Sequence, residues 1–411
     1  MDSLRINADR LWASLMELAR IGATPKGGVR RLTLTEEDRQ ARDLFARWAR
    51  EAGCAVEVDG IGNVFARRPG TDPAAAPVAM GSHLDSQPSG GKYDGAFGVM
   101  AGLEVVRALN DAGVRTHAPL EVVSWTNEEG SRFTPVMMGS GVFAGAFTLE
   151  HARGQKDIDG RSVGEALDAI GYAGGARGHR LAAYFEAHIE QGPVLESERC
   201  TIGVVRGALG QRWYDVTVTG QDAHAGPTPM ALRHDALLGA SRLVQEVNRI
   251  ALEFPDEARG TVGFMQVKPN SRNVVPGEVR TTVDFRNAKV VTLDAMCTAL
   301  AETARRIEAE CRVRIELREA TYFKPCEFDA GMVAAVRGAA AALGYRHRDI
   351  VSGAGHDAVY IARTAPTAMI FIPCEGGISH NEIESATPAD LAAGCNVLLQ
   401  AALDKAGVAG A

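Results

Sequence analysis

The chain has 411 residues, of which 46% are hydrophobic and 23% charged, and its formal net charge is −7. Single hydrophobic cores rarely grow beyond ~250–300 residues, so a chain of this length is expected to form two domains. The acidic balance lacks the basic footprint of a nucleic-acid-binding protein, and no apolar run approaches the ~18 residues of a membrane span. Neither nucleic acid nor a membrane is therefore an expected partner.

The cysteines indicate a reducing compartment. There are seven of them, an odd number, and none forms a CxxC pair, which favours free thiols over a disulfide framework or a cysteine zinc site. The N-terminal stretch MDSLRINADRLW lacks the apolar segment of a secretory signal peptide. We therefore expect a cytoplasmic protein.

Helical and strand patterns alternate along the first part of the chain and again near its end. The predicted elements are, in chain order, helix 7–21, helix 36–52, strand 77–80, helix 96–110, strand 120–125, strand 182–187 and strand 365–373. Alternation of this kind is typical of an α/β fold with a mainly parallel sheet flanked by helices.

The pattern changes near Gly210. Period-two stretches predict strands at 212–220, 261–268, 279–284 and 313–317, and helical spacing predicts helices at 232–253 and 293–310. Four antiparallel strands and two helices describe a compact α+β insert whose sheet is open on one face. We therefore predict a discontinuous catalytic domain, residues 1–211 and 329–411, interrupted by an inserted domain at 212–328.

Polar clusters follow the ends of the predicted parallel strands, where ligands collect in open α/β sheets. The clusters are His83, Asp85 and Asp94 in GSHLDSQPSGGKYDG, Glu128 and Glu129 after EVVSWTN, His188 in AHIEQG, and His380 in GGISHNE. Histidine and carboxylate groups without cysteine are typical ligands of hydrolytic Zn²⁺ or Mn²⁺ sites. The sequence thus predicts a metal site at this edge of the sheet.

The spacing within two clusters suggests separate tasks for their members. His83 and Asp85 project to the same side of an extended segment, so Asp85 can accept a hydrogen bond from the ring nitrogen of His83 that does not bind metal. Glu128 and Glu129 would point oppositely in a regular strand, so the backbone must bend if both serve the site. One then binds metal while the other takes a proton from water.

Each cluster alone is a weak signal. A lone histidine near a strand end is more often a surface residue, adjacent glutamates are usually a solvated loop, and HxD is common by accident. Recurrence after successive strands is harder to dismiss. A phosphate-binding loop at Gly90 and Gly91 is unsupported, because no GK[ST] or GxGxxG pattern accompanies it.

Longer stretches resemble the two-metal amidohydrolases of the hydantoinase/carbamoylase type, relatives of aminoacylases and zinc carboxypeptidases with an inserted lid domain. The matching stretches, within residues 81–382, are GSHLDSQPSGGKYDGAFGVMAGLEVV, WTNEEGSRF, HIEQGPVLE, AHAGPTPMALRHDAL, NVVPGEV, VDFR, SGAGHDA and MIFIPCEGGISHNE. The DSQPSGGKYDG form is more similar to N-carbamoyl-amino-acid hydrolases and β-ureidopropionases than to allantoate amidohydrolases.

The resemblance implies two divalent cations, with Zn²⁺ expected, although such a ligand set also accepts Mn²⁺, Co²⁺ or Ni²⁺. The implied ligands are His83 and His188 for one cation, Glu129 and His380 for the other, and Asp94 as a bridge. Glu128 would be the general base and later the proton donor. The resemblance also implies a cis peptide bond between Asp94 and Gly95.

Substrate contacts are implied in the same way. Arg286 in VDFR suits a substrate carboxylate, since guanidinium binds carboxylate bidentately, and Asn273 and the backbone of Gly355 would share it. Gln191 would bond to the carbamoyl group, and His224 would stabilise the oxyanion as a catalytic residue. In relatives the insert pairs two subunits and such a histidine reaches into the partner's site, so a homodimer is expected.

Simpler interpretations exist for several of these residues. Arg286 could form an ion pair with an acidic neighbour on an exposed strand. His224 lies among small residues and could be a turn residue. His356 and Asp357 resemble site residues, but the glycines around them could matter only for backbone shape.

The expected reaction is metal-dependent hydrolysis of the carbamoyl C–N bond of N-carbamoyl amino acids, giving the amino acid, CO₂ and ammonia. The insert is expected to swing over this small-molecule substrate. Three alternatives stay open: allantoate or another ureido acid, an aminoacylase or dipeptidase reaction on acyl amides, and a metal-free binding or scaffolding protein. The complete ligand set argues against the last of these.

Overall fold

The computed structural model describes residues 4–254 and 257–410. Its helices are α1 (Ala8–Leu18), α2 (Glu36–Glu51), α3 (Ala96–Asp111), α4 (Met138–Phe143), α5 (Leu149–Gly154), α6 (Val163–Ile170), α7 (Val194–Glu198), α8 (Ala236–Glu253), α9 (Val290–Cys311), α10 (Ala330–Ala342), α11 (Asp357–Ile361) and α12 (Pro388–Ala406). Its strands are β1 (Ala55–Val58), β2 (Val64–Arg68), β3 (Val78–His83), β4 (Leu120–Trp125), β5 (Ala183–Ile189), β6 (Ile202–Ala208), β7 (Gly210–Thr219), β8 (Ala223–His224), β9 (Arg259–Thr261), β10 (Met265–Lys268), β11 (Val274–Val275), β12 (Glu278–Asn287), β13 (Arg314–Phe323), β14 (Cys326–Glu327), β15 (His347–Ser352) and β16 (Thr367–Ile372).

The chain divides into two compact units. The smaller unit is Ala208–Glu327, and the larger unit is formed by the chain before and after it, up to Gly207 and from Phe328 onward. The main sheet of the larger unit has the order β1-β2-β4-β3-β5-β16-β6, with β15 also beside β6. Among its helices, α3 and α12 pack against the central strands.

The centre of this sheet is parallel and buried. β3 pairs in parallel with β4 and with β5, and β5 pairs in parallel with β16. Every residue of these four strands is buried, as expected of strands covered by helices on both faces. Because the four strands run in the same direction, the loops that follow them emerge at one edge of the sheet.

The flanks of the sheet differ from a mainly parallel arrangement. β1 pairs antiparallel with β2, β2 with β4, and β6 with β16. The fold is therefore mixed α/β, with a sheet that is parallel only at its centre. The short edge strands gave little periodicity in the sequence, which explains why their direction was not predicted.

The smaller unit contains an antiparallel sheet with two helices on it. Its strand order is β10-β12-β7-β13, with β9 also paired to β12, and β8 and β11 form a separate two-stranded ladder. Its core combines residues from α8, α9 and the sheet: Val216, Val218, Leu243, Val247, Val283, Phe285, Leu293 and Leu300.

One predicted strand of this unit is wrong. The stretch 261–268 is two strands, because β9 pairs with Asp284–Arg286 of β12 whereas β10 pairs with Glu278–Thr281. The residues between β9 and β10 carry the chain from one end of β12 to the other. Among the helices of the described residues, none has the length and apolar character needed to cross a bilayer.

Candidate metal centre

The loops at the carboxyl edge of the parallel strands carry the metal ligands predicted from the sequence. His83 is the last residue of β3, and His188 is the penultimate residue of β5. Glu129 follows β4, and His380 follows β16 after a short turn. Asp94 lies just before α3. The parallel register thus brings together residues that are up to three hundred positions apart in the sequence.

Three of these residues form a fully buried group, which we call the inner triad: His83, Asp94 and His188. Their ligand atoms all lie within 4.8 Å of one another. The Oδ1 atom of Asp94 is 3.6 Å from Nε2 of His83 and 3.2 Å from Nε2 of His188. Two imidazoles and a carboxylate at this separation fit one divalent cation.

Backbone carbonyls fix the tautomers of both inner histidines. Nδ1 of His83 lies 2.9 Å from the carbonyl oxygen of Asp85, and Nδ1 of His188 lies 2.9 Å from that of Ile189. A carbonyl can only accept, so each Nδ1 carries the hydrogen and donates it. In the neutral rings each Nε2 then carries the lone pair, as a metal-binding histidine requires, and Nε2 of His188 accepts from the backbone N–H of Gly95 at 3.2 Å.

A second group, the outer triad, is Asp94, Glu129 and His380. Its ligand atoms also lie within 4.8 Å of one another. Nε2 of His380 is 3.5 Å from Oδ2 of Asp94 and 3.3 Å from Oε2 of Glu129. Oδ1 of Asp94 therefore faces His83 and His188, and Oδ2 faces His380. A carboxylate that bridges two cations needs such an arrangement.

The two adjacent glutamates separate through a backbone bend. Asn127 has a φ of 57°, in the left-handed region, directly before Glu128. Glu129 enters the outer triad, whereas Oε2 of Glu128 lies 3.5 Å from Nε2 of His83. Glu128 belongs to neither triad.

Asp85 supports this bend. The prediction that its carboxylate accepts a hydrogen bond from the ring of His83 is wrong. The carboxylate accepts hydrogen bonds from the backbone N–H groups of Glu128 (3.2 Å) and Glu129 (3.3 Å). Its nearest oxygen is 3.8 Å from Nδ1 of His83, which bonds to the Asp85 carbonyl instead. Asp85 thus orients His83 through its backbone and the two glutamates through its side chain.

The site contains several buried carboxyl groups whose negative charges are close together. Burial, assisted by the negative charge of Asp94, raises the pKa of Glu129 to about 8. Burial also raises the pKa of Glu128 well above its ordinary value, and the charges of Asp357 and Glu129 add to this effect. Crowded, buried carboxylates of this kind are relieved by positive charge. The donor set therefore fits divalent metal ions.

Gln191 lies beside the bridging carboxylate. Its Nε2 donates to Oδ2 of Asp94 at 2.8 Å. Its Oε1 is buried and lacks a hydrogen-bond partner among the described residues. A buried amide oxygen without a donor is costly, so this atom is placed to receive an N–H group from a ligand.

The loop before α11 reaches the inner triad. The ring of His356 packs edge-on against that of His188, with 4.6 Å between centroids, and its Nε2 is 2.9 Å from the Ser352 hydroxyl. Burial, followed by the charge of His188, lowers the pKa of His356 well below its usual value. Gly355 precedes this histidine and lies against the end of the Met137 side chain.

Three predicted substrate residues lie in the smaller unit. His224 and Asn273 are neighbours there, since β8 and β11 pair and the Ala225 N–H donates to the Asn273 carbonyl at 2.9 Å. Arg286 lies on β12, and its Nη2 is 2.9 Å from a carboxylate oxygen of Asp284. Arg286 thus forms the ion pair with an acidic neighbour that its simpler interpretation predicted.

The expectation for the Asp94–Gly95 peptide bond is wrong. The cis bonds found in the described residues precede Pro135 and Pro269, and the Asp94–Gly95 bond is not among them. Gly95 instead has a φ of 62°, and a Cβ at this position would overlap the ring of His83. The glycine is required by close packing against a ligand.

Comparison with known proteins identifies the family. The model of peptidase family M20/M25/M40 matches residues 79–404, which include both triads and Glu128. The chain belongs to this family.

Relatives of the M20/M25/M40 chain place it among the hydantoinase/carbamoylase amidases. It is 49% identical to an N-carbamoyl-L-amino-acid amidohydrolase of Rhizobium meliloti, over 98% of each chain. It is 35% identical to an allantoate amidohydrolase of Bacillus subtilis, over 93% of each. A crystal structure of a hydantoinase/carbamoylase family amidase from Burkholderia multivorans is 59% identical, with a TM-score of 0.96 over 98% of this chain and 99% of that one. The chain is therefore a hydrolase of carbon–nitrogen bonds in linear amides.

Sequence reasoning missed residues that hold the ligands. Gln87 donates to both carboxylate oxygens of Glu129, from its backbone N–H at 3.1 Å and its side chain at 2.6 Å. Ser379 and Glu384 contact Asp94. Gln87 lies in the DSQPSGG stretch, and the other two flank His380. Their closeness in sequence to predicted ligands was the only feature that could have indicated them.

Proposed function

We propose that this M20/M25/M40 hydrolase cleaves the carbamoyl C–N bond of N-carbamoyl-L-amino acids and releases the amino acid, CO₂ and ammonia. The observation that carries the proposal is the 49% identity, over 98% of both chains, to an enzyme named for this reaction. The two triads and Glu128 supply the groups that such a hydrolysis needs.

The inner and outer triads would each hold one divalent cation, for which Zn²⁺ is expected, with Asp94 between them. When bound, the cations supply Lewis acidity, which lowers the pKa of water and polarises the substrate carbonyl. The mixture of imidazole and carboxylate donors supports Zn²⁺ but also suits Mn²⁺, Co²⁺ or Ni²⁺.

Glu128 carries the proton in this mechanism. It takes a proton from the attacking water and delivers it to the leaving nitrogen. Burial raises its pKa well above the ordinary value in the metal-free protein, and bound cations would lower that pKa so that the carboxylate can accept the proton. Asp85 holds the Glu128 backbone in place during both transfers.

Gln191 supports a carbamoyl substrate over an acyl substrate. Its buried Oε1 has no donor among the described residues, and a carbamoyl group presents an NH₂ where an acetyl group presents a methyl. Sites that hydrogen-bond a substrate N–H discriminate strongly against analogues that lack it.

The proposal also assigns roles to three residues of the smaller unit. Arg286 and Asn273, with the backbone of Gly355, would bind the substrate carboxylate, and His224 would stabilise the oxyanion that develops during attack. We expect the smaller unit to act as a lid that closes over the substrate and excludes water.

We also propose a homodimer formed through the smaller unit and a cytoplasmic location. Large apolar side chains are exposed on that unit, which supports a pairing surface: Met230, Leu232, Leu252, Phe264 and Val291. The cysteines of the described residues are unpaired, which supports a reducing compartment.

A second candidate substrate is allantoate, favoured by the 35% identity to an allantoate amidohydrolase. The same cations, Glu128 and Gln191 would serve it, because allantoate also presents carbamoyl groups next to a carboxylate. The two substrates differ in the group beside the carboxylate, which is an amino-acid side chain in one and a second ureido group in allantoate.

One experiment tests the reaction, the substrate and the proton carrier together. Ammonia release is measured with N-carbamoyl-L-amino acids, N-carbamoyl-β-alanine and allantoate, and amino acid release with N-acetyl-L-amino acids, for the wild type and Glu128→Gln. We expect N-carbamoyl-L-amino acids to give the highest kcat/KM, and Glu128→Gln to lose ~10²–10⁴-fold in kcat while both cations stay bound.

The controls make the result decisive. Glu150→Gln, on an exposed helix, should keep wild-type turnover. Faster turnover of allantoate would replace the proposed substrate, and faster turnover of acetyl substrates would reject a carbamoyl-directed site. Loss of metal from Glu128→Gln would make Glu128 a ligand instead of the proton carrier.

A further inference from the structure

Asp94 must present one oxygen to each triad, so its orientation decides whether the two groups act as one centre. Two rotatable bonds, Cα–Cβ and Cβ–Cγ, join its carboxylate to a glycine-rich loop, KYDGAFG. A carboxylate on such a loop needs fixed partners if it is to stay in one rotamer. Gln191 is one such partner, since its Nε2 donates to Oδ2 of Asp94, and the others come from the loop that carries His380.

Glu384 holds the backbone of this loop. Its carboxyl group is buried, and Oε1 accepts hydrogen bonds from the N–H groups of Tyr93 (2.9 Å) and Asp94 (3.1 Å). These bonds fix the peptide from which the Asp94 side chain departs. Charge-assisted bonds to backbone N–H groups are among the stronger hydrogen bonds in proteins.

Ser379 connects Glu384 to the carboxylate of Asp94 itself. The Ser379 hydroxyl donates to Oδ2 of Asp94 at 2.8 Å and lies 3.2 Å from Oε2 of Glu384. Ser379 and Glu384 stand on either side of His380 in the sequence. A single loop therefore supplies one ligand of the outer triad and fixes the ligand that both triads share.

Gly91 leaves the room that this arrangement needs. A Cβ added at Gly91 would overlap the carboxyl group of Glu384. The loop before Asp94 is thus shaped to receive Glu384, and an alanine at position 91 would displace its carboxylate without altering any ligand.

We propose that Glu384, acting with Ser379, is a positioning residue that sets the orientation of Asp94 between the two cation sites. The proposal deepens the proposed hydrolysis and rests on it for its catalytic meaning. Nearby Glu382 has a different environment, since its carboxylate faces Lys26 at 3.8 Å. Glu382 can therefore serve as the control position for substitutions of Glu384.

The test compares Glu384→Ala, Glu384→Gln, Ser379→Ala and Gly91→Ala with the controls Glu382→Gln and Gly175→Ala. Gly175 is exposed, and a Cβ there would meet no other atom within 4 Å. The readouts are the affinity for each cation by titration of the metal-free protein, the absorption spectrum of the Co²⁺-loaded protein, kcat and KM, and the unfolding temperature.

We expect Ser379→Ala, Gly91→Ala and Glu384→Ala to weaken cation binding by ~10–100-fold, alter the Co²⁺ spectrum and lower kcat more than they raise KM. Glu384→Gln should restore most of the affinity, because its amide oxygen still accepts from both N–H groups. If Glu384→Ala does not fold, Ser379→Ala decides the question, since it keeps the buried acceptor for both backbone N–H groups. Gly91→Ala gives a second result, because it displaces that acceptor without removing it.

Wild-type cation affinity and an unchanged Co²⁺ spectrum in Ser379→Ala and Gly91→Ala would overturn the proposal. The same changes in Glu382→Gln or Gly175→Ala would overturn it too, because they would reflect general loosening of the loops. The metal readouts do not depend on the substrate. A wild type that binds two cations but releases no ammonia would therefore reject the proposed function and leave the positioning role standing.

Discussion

The inner and outer triads share Asp94 but sit in different surroundings. The side chains of His83 and His188 are 1% exposed, whereas that of His380 is 50% exposed. The inner histidines lie on buried parallel strands and have their tautomers fixed by carbonyls. His380 lies on a loop, with a φ of 53° that few non-glycine residues adopt.

This contrast predicts cation sites of unequal strength. Donors held in place by a sheet lose little freedom when a cation binds, and interactions between charges strengthen as water is excluded. The inner triad should therefore bind its cation more tightly and release it more slowly. The outer triad, in which the His380 side chain is half exposed, should exchange its cation more readily.

The largest expected effect comes from removing one histidine of each triad. His188→Ala should lose the inner cation and, because several kcal/mol of transition-state stabilisation go with it, about 10³-fold or more in kcat. His380→Ala should keep one tightly bound cation per chain and lose less activity. Metal analysis after gel filtration, together with ammonia release, measures both.

His151→Ala, an exposed histidine on α5, is the control and should keep both cations. Equal cation loss in His188→Ala and His380→Ala would show that the triads do not differ, and retention of both cations in His188→Ala would remove the inner triad as a metal site.

The convergence of the ligands was predictable because it follows from strand direction. His83, Glu129, His188 and His380 each follow or end a strand of the parallel centre, and parallel strands end at one edge. Positions this far apart in the sequence are joined by topology alone. The family resemblance added the assignment of each ligand to one of the two cations.

The hydrogen-bond partners were not predictable, because they depend on loop conformation. The spacing of His83 and Asp85 suggested a bond between their side chains, but the left-handed turn at Asn127 brings two N–H groups to the Asp85 carboxylate instead. Glu382 and Glu384 look alike in SHNEIE, and only the path of the chain turns one toward Lys26 and the other toward Asp94.

Asp85 connects the two triads, and replacing it tests how strongly they depend on common support. Its carbonyl orients His83 of the inner triad, and its carboxylate holds the backbone of Glu129 of the outer triad. Asp85→Ala keeps the carbonyl and removes the carboxylate. We expect a ~10–100-fold loss in kcat, with weaker binding at the outer site and an unchanged inner site.

Asp157→Ala is the control, since the Asp157 carboxylate also accepts from two backbone N–H groups, those of Asp159 and Arg161. It pairs with Arg132 at 3.1 Å and contacts no member of either triad among the described residues. This variant should change stability without changing kcat. Loss of the inner cation from Asp85→Ala would mean that its carboxylate, and not only its carbonyl, supports His83.

The smallest expected effect is on the unfolding temperature, whose dependence on pH should differ between the metal-free and the metal-loaded protein. Burial, assisted by Asp94, raises the folded-state pKa of Glu129 from 4.5 to about 8. Between these values the folded metal-free protein keeps a proton that the unfolded chain has released, so this group's contribution to stability falls as pH rises through the window. Bound cations displace that proton, and their affinity rises with pH over the same range.

Calorimetry should therefore show an unfolding temperature that decreases by several degrees from pH 5 to pH 8 without metal. With metal, it should hold steady or increase. Glu129→Gln removes the titrating group and should flatten the metal-free trend; an identical slope in this variant would assign the pH dependence to other buried acids and leave the outer triad no more sensitive to protons than the inner one.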